Sequence, residues 1–207
     1  MSATRRRDLA GVALGLACGL SVAGAAAGLE AATGAARGAV VVADAAVLEA
    51  ERWLLSRPIA LPVPGVSAAA LRDTFLEGRP GHPHEAIDIE APRGTKVFAV
   101  DNGRLAKLFN SVAGGLTVYQ FDPQDRIAYY YAHLDRYADG LREGMVLHRC
   151  DLLGYVGTSG NAPATAPHLH FAVFRLGPEH KWWKGAPLNP YPALRAAAAP
   201  GSVASCK

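Results

Sequence analysis

The first fifty of the 207 residues contain no Phe, Trp, Tyr or His. Without rings, a segment has little with which to build a core, so the packed body is expected after it. Forty residues are Ala, and seventeen of them fall in the same fifty. Net charge is also small. The formal +3 includes Arg5, Arg6 and Arg7, and from residue 28 onward eighteen Lys/Arg face seventeen Asp/Glu. No basic stripe argues for nucleic acid as a partner. Collagen-like and coiled-coil classes are excluded by period, and polytopic membrane classes by the absence of repeated long apolar runs. What remains is one domain of roughly 120–150 residues, enough for a sizeable core. All sixteen aromatics lie between Trp53 and Tyr191, and all seven histidines between His82 and His180.

Met1–Asp8 is basic and Leu9–Leu29 is charge-free over twenty-one residues, the layout of an export signal. Ala23-Gly24-Ala25 and Ala25-Ala26-Ala27 offer small residues for cleavage. Twenty-one residues also suffice to span a bilayer, so an uncleaved anchor is the competing reading. Twelve of them are Ala or Gly, which weakens insertion. Thr4-Arg5-Arg6-Arg7-Asp8-Leu9 looks like a twin-arginine signal. Cys18 lacks the Leu three positions before it that a lipobox needs. The expectation is an exported protein of the periplasm or cell envelope, touching membrane only through an uncleaved residue 1–29 segment. Residues 30–77 read as an Ala-rich linker with a leading helix at Asp44–Leu55, followed by an extended, proline-rich Arg57–Val66.

From Gly81 the punctuation is that of strands. Lys96–Val100 and Arg104–Phe109 flank Asp101-Asn102-Gly103, a hairpin signal because Asn-Gly tolerates positive φ. Gly115–Phe121 and Arg126–Leu134 flank Asp122-Pro123-Gln124-Asp125, with Pro where a type I turn favours it. Leu152–Val156 and His168–Arg175 read as further strands. The predicted fold is mostly β, an antiparallel sandwich or open barrel of hairpins.

Three segments carry the chemistry: His84-Glu85-Ala86-Ile87-Asp88, Tyr131-Ala132-His133-Leu134-Asp135 and Pro167-His168-Leu169-His170-Phe171. On a strand, His168 and His170 share a face, roughly 7 Å apart. By the same alternation Tyr129, Tyr131 and His133 share one. A zinc hydrolase site needs three N or O ligands and an open position for water. His84, Asp88 and one histidine of the His168/His170 pair would supply them. The bound water would attack a polarised carbonyl, with the remaining imidazoles handling the proton and the oxyanion.

These segments resemble the M23 peptidase family, the lysostaphin/LytM type of zinc endopeptidase. Ala91-Pro92-Arg93-Gly94-Thr95-Lys96-Val97 is similar to the run that follows the family's H-x3-D element. Tyr131-Ala132-His133-Leu134 matches its middle element. Gly154-Tyr155-Val156-Gly157-Thr158-Ser159-Gly160 and His168–Phe171 match its ending. The resemblance covers about residues 78–194, leaving 195–207 as an Ala-rich tail. It implies one zinc held by His84, Asp88 and His170, with His133 and His168 as catalytic residues. It also implies cleavage of the peptide part of peptidoglycan. Ala172 stands where many relatives have Glu, Ala86 where they often have Gly, and Cys150 where a Gly commonly sits.

Tyr129, Tyr131 and Asn161 are candidates for substrate contact. Trp182 and Trp183 are expected to close the edge of the core, and His82, His148 and His180 to lie on the surface. Beyond the leader only Cys150 and Cys206 remain, a natural pair in an oxidising compartment. The alternative is a buried thiol at 150 and a loose one at 206. A monomer is expected. A different class also fits the resemblance: a catalytically silent LytM-like module that activates a separate cell-wall amidase. Such modules lack one or more ligands, whereas all five matching positions are filled here.

Overall fold

The computed structural model describes residues 45–199, 201, 202 and 206. The leader expected over residues 1–29, and its continuation to residue 44, lie outside them. Among the described residues no helix is long and apolar enough to cross a membrane. Helix α1 covers residues 45–56, close to the expected Asp44–Leu55, and buries Ala50 and Leu54. The chain then runs extended through its prolines with Ile59, Leu61 and Val63 in the core. Prolines cannot complete a ladder, yet Ala60 N–H donates to the Val100 carbonyl (2.6 Å) and Phe98 N–H to that of Pro62 (2.8 Å).

Among the described residues eleven strands follow: β1 (Gly78–Arg79), β2 (His82–Pro83), β3 (Ile87–Glu90), β4 (Lys96–Phe98), β5 (Gly103–Ser111), β6 (Gly115–Phe121), β7 (Ile127–Tyr137), β8 (Val146–Leu147), β9 (Leu152–Val156), β10 (His168–Leu176) and β11 (Gly185–Leu188). Every pairing is antiparallel. The main sheet runs β11-β10-β7-β6-β5-β8. β10 pairs with β7 along one edge and with β3 and then β11 along the other. The far end of β7 leaves β10 for β9, which in turn holds β4, so the sheet curls open rather than lying flat. The mostly β, antiparallel expectation is borne out. The apolar sides of these strands converge on Tyr131, Phe171, Ile87, Leu105 and Leu134, all fully buried.

The turn at Asp122–Asp125 joins β6 to β7 as expected, with Asp122 Oδ1 accepting from Arg126 (2.7 Å) and Ile127 (2.8 Å) N–H. The expected hairpin around Asp101-Asn102-Gly103 does not form. β4 pairs with β9, and β5 with β6 and β8. Tertiary demand outweighs the local turn preference, because Asp101 is drawn inward. It accepts from the Tyr129 hydroxyl (3.0 Å) and pairs with Arg57 (2.6 Å), while its carbonyl accepts from Gln120 Nε2 (2.6 Å). Helix α2 (Tyr191–Ala197) crosses the expected boundary at residue 194 and buries Ala193, Leu194 and Ala197.

Cys150 and Cys206 form a disulfide, their Cα atoms 5.3 Å apart and 56 residues apart in sequence. In the chain-entropy view, such a loop stabilises by roughly 4 kcal/mol. Cys150 has φ +74°, in the left-handed region that glycine adopts most readily.

Gly160 is a position where the fold has no room for a side chain. It has φ +75°, and a Cβ there would lie 2.3 Å from both the Ala113 carbonyl oxygen and the Gly115 nitrogen. This close approach seats Ser159, whose hydroxyl accepts from Leu116 N–H (3.0 Å) and donates to the Leu134 carbonyl (2.7 Å). Gly160→Ala is therefore expected to lower the free energy of unfolding by at least about 2 kcal/mol, combining φ strain with overpacking. Urea denaturation measures this. A change within about 0.5 kcal/mol, the scale of an indifferent surface site, would contradict it.

Candidate metal centre

β3 and β10 place the first two groups. Asp88 and His170 are directly opposed across this antiparallel pair, as are Glu90 and His168 two residues along. Opposed side chains on one face come close, and His170 Nδ1 lies 3.1 Å from Asp88 Oδ1. His84 precedes β3 and is fixed from behind. Its backbone N–H donates to the Glu77 carbonyl (2.8 Å), and Glu85, at φ +59°, donates to that of Phe75 (2.8 Å). Buried Thr74 completes this support. Its hydroxyl donates to the Ala86 carbonyl (3.0 Å) and accepts from Asp88 N–H (3.2 Å), while its own carbonyl receives His84 Nδ1–H (3.1 Å).

A carbonyl can only accept, so Nδ1 of His84 carries the proton and Nε2 is left with its lone pair. That Nε2 lies 3.1 Å from His170 Nδ1 and 3.2 Å from Asp88 Oδ1. With the 3.1 Å between His170 Nδ1 and Asp88 Oδ1, the three atoms form a nearly equilateral triangle. Ligands bound tetrahedrally at zinc distances are roughly 3.3 Å apart. The donor set, two imidazole nitrogens and one carboxylate oxygen, fits a borderline metal such as zinc. Second-sphere support on His84 is of the kind that fixes a metal-binding tautomer.

His133 and His168 stand beside this triangle. The ring of His133 lies 4.9 Å from that of His168 and 5.5 Å from that of His170, centroid to centroid. His133 Nδ1–H donates to the Ser159 carbonyl (2.8 Å) and His168 Nδ1–H to that of Ala166 (2.9 Å). As neutral rings, both are left with an Nε2 lone pair, and that of His168 is 3.8 Å from Asp88 Oδ1. The five sequence-derived residues therefore gather on one wall of an open groove of about 660 Å³, which Asn161 also lines.

Tyr129 and Tyr131, expected along this groove, do not face it. Both are fully buried. The Tyr131 hydroxyl donates to Gln120 Oε1 (2.6 Å) and accepts from Val100 N–H (3.0 Å). The reason is a bulge. Leu116 opposes Leu134 but Val118 opposes Tyr131, so β7 carries one extra residue there. His133, at φ +61°, breaks the alternation and turns to the face that carries Tyr130. Tyr130 is the groove tyrosine, its ring 6.0 Å from that of His170. Arg79 and His82, on the β1–β2 hairpin, also line the groove. His82 is exposed, as expected, and its place beside the groove is what its spacing did not signal. Trp182 packs at the core's edge with Phe121 and Leu176, while Trp183 is 61% exposed.

The model of "Peptidase family M23" matches residues 82–190, slightly more than half of the chain. The chain belongs to this family. An L-Ala–D-Glu endopeptidase of Bacillus subtilis (strain 168) is 30% identical over 145 residues, covering 66% of this chain and 43% of that protein. The chain thus spans less than half the length of this relative. A structure from Ruminococcus gnavus, described as a glycyl-glycine endopeptidase LytM, superposes with a TM-score of 0.56. It is 26% identical and covers 69% of this chain and 61% of that one.

Electrostatics suit the M23 arrangement. Burial lowers the pKa of His84, opposed by the charge of Asp88. Burial also lowers that of His133, to about 4, despite the Ser159 hydrogen bond. Burial alone would raise Asp88, but the hydrogen bond and charges of the neighbouring histidines outweigh it and hold the carboxyl low. The folded state thus prefers two neutral rings and an ionised carboxylate. Unfolded, the histidines titrate near 6.5. Between about pH 6.5 and 4 the unfolded chain binds more protons than the folded one, so stability is lost as pH falls. The metal-free protein should show a lower urea midpoint at pH 4.5 than at pH 7.5, and His133→Asn a smaller drop. An equal or higher midpoint at pH 4.5 would show that these rings are not held neutral.

Proposed function

We propose that this M23 peptidase is a zinc-dependent endopeptidase that cuts peptide bonds in peptidoglycan, and that it acts after export, in the periplasm or cell envelope. The single observation that carries the catalytic part is the triangle of His84 Nε2, Asp88 Oδ1 and His170 Nδ1, flanked by two more imidazoles with Nε2 towards the groove. The Bacillus relative, an L-Ala–D-Glu endopeptidase, supports a substrate drawn from the stem peptide. The charge-free stretch Leu9–Leu29 behind three arginines supports export.

His84, Asp88 and His170 would hold the ion. When bound, zinc supplies a Lewis acid that polarises a carbonyl and acidifies water. His133 and His168 then have a defined task. Each presents an acceptor nitrogen, so either can take a proton from the attacking water, and the ring so protonated becomes a donor to the oxyanion and then to the leaving amine. The backbone carbonyls of Ser159 and Ala166 hold these rings in place through the transfer. Ala172, at the position where the family resemblance implies a Glu, offers no carboxylate to replace them.

The other reading, a silent module that activates an amidase, has against it that every ligand and both flanking histidines are in place. Digestion of purified peptidoglycan separates the two. The wild type is expected to hold one zinc per chain and to release new amino termini. His170→Ala should lose metal and at least about 10³-fold in rate, and His133→Ala should keep the metal and lose about 10²–10⁴-fold. A wild type that binds no zinc and releases nothing would favour the activator, and unimpaired cutting by His170→Ala would overturn the ligand assignment.

A further inference from the structure

The charges along the groove are few and uneven. Among the residues that line it, Arg79 is the one Lys or Arg, and Asp88 and Glu90 are the carboxylates. Arg79 sits at the turn of a two-stranded hairpin in which Gly78 opposes Pro83 and Arg79 opposes His82. The turn residues Pro80 and Gly81 make this a stiff support, with Gly81 at φ +88°. One guanidinium nitrogen, Nη2, lies 3.1 Å from Asp88 Oδ2. Among the described residues the rest of the fork has no other hydrogen-bond or ion-pair partner, and the side chain is 40% exposed.

A residue that served only to orient Asp88 would do so best from behind, as Thr74 does for His84. Arg79 instead approaches from the groove side. A guanidinium has five N–H donors in a planar fork and favours bidentate carboxylates. Asp88 takes only one edge, and it would share its charge with a metal held at Oδ1. Positive charge at this end is thus left uncompensated. Two residues further along β3, Glu90, opposite His168 and without an ion-pair partner among the described residues, repels anions. The groove therefore has a polarity that accepts a carboxylate beside the hairpin and disfavours one beside Glu90. Because Asp88 Oδ1 belongs to the ligand triangle, the guanidinium stands within one residue's reach of the bond to be cut.

We infer that Arg79 is a specificity-determining residue, binding a free carboxylate on the substrate residue adjacent to the scissile bond, and that the preferred substrate is an acidic peptide. This rests on the peptidase reading above and adds the substrate class to it. An L-Ala–D-Glu bond, the kind named for the Bacillus relative, has such a carboxylate next to it.

The test uses the zinc-loaded full chain and two synthetic peptides, L-Ala–γ-D-Glu–L-Lys with its free α-carboxylate and the same peptide with a carboxamide there. The wild type should prefer the carboxylate by about 10–100-fold in kcat/KM, the scale of a charged hydrogen bond, with the difference mainly in KM. Arg79→Gln should bring that ratio near one while retaining cleavage of the amidated peptide, and Arg79→Lys should restore part of it. Equal cutting of both peptides by the wild type overturns the inference and leaves the peptidase reading intact. So does a loss in Arg79→Gln that falls equally on both peptides and lies in kcat, which would make Arg79 a positioning residue for Asp88. Cleavage of peptidoglycan but of neither peptide also overturns it. Inactivity on all three substrates removes the peptidase reading, and this inference with it.

Discussion

The opposition of Asp88 and His170 across β3 and β10 is the constraint around which the rest is arranged. A four-residue strand held in register by a nine-residue one places a carboxylate oxygen 3.1 Å from an imidazole nitrogen. A slip of one residue would turn both side chains to the opposite face. The register is secured by what lies underneath. Ile87, Ile89, Leu169 and Phe171 alternate with the site residues and are fully buried, so any slip would expose them. Core packing and ligand geometry are two faces of the same pairing.

The second device is the use of main-chain carbonyls as anchors. Three of the four site histidines give their Nδ1 proton to a carbonyl: His84 to Thr74, His133 to Ser159 and His168 to Ala166. Each bond fixes ring orientation and leaves Nε2 towards the groove. His170 is the exception, since its Nδ1 faces Asp88 and His84. The loops supplying those carbonyls are held in turn by close backbone packing, as at Gly160, and by the serine that bridges Leu116 and Leu134. Loop residues with little variety in their side chains thereby do chemical work through their backbone.

Much of this was legible in the sequence because it is carried by short-range pattern. H-x3-D, the HLH pair and the glycine run each sit within a few residues, and turn punctuation located β6, β7, β9 and β10. What escaped was set at long range. The Asn102-Gly103 turn signalled a hairpin, but the buried demands of Asp101 and the pairing of β4 with β9 overruled it. Tyr129 and Tyr131 were placed with His133 by strict alternation. One extra residue in β7 reversed that, and only the partner strand reveals such a bulge. Thr74 and Arg79 gave no signal, because their roles depend on what the fold brings beside them.

The proposed function rests on a zinc centre of three ligands and an open position, and X-ray absorption at the zinc edge of the loaded protein tests it most directly. Two imidazole nitrogens, one carboxylate oxygen and one exchangeable oxygen, all at about 2.0–2.2 Å, are the predicted shell. In His170→Ala one imidazole should be missing from it. A sulfur shell near about 2.3 Å, or a closed shell of four protein ligands without an exchangeable position, would contradict the site described here.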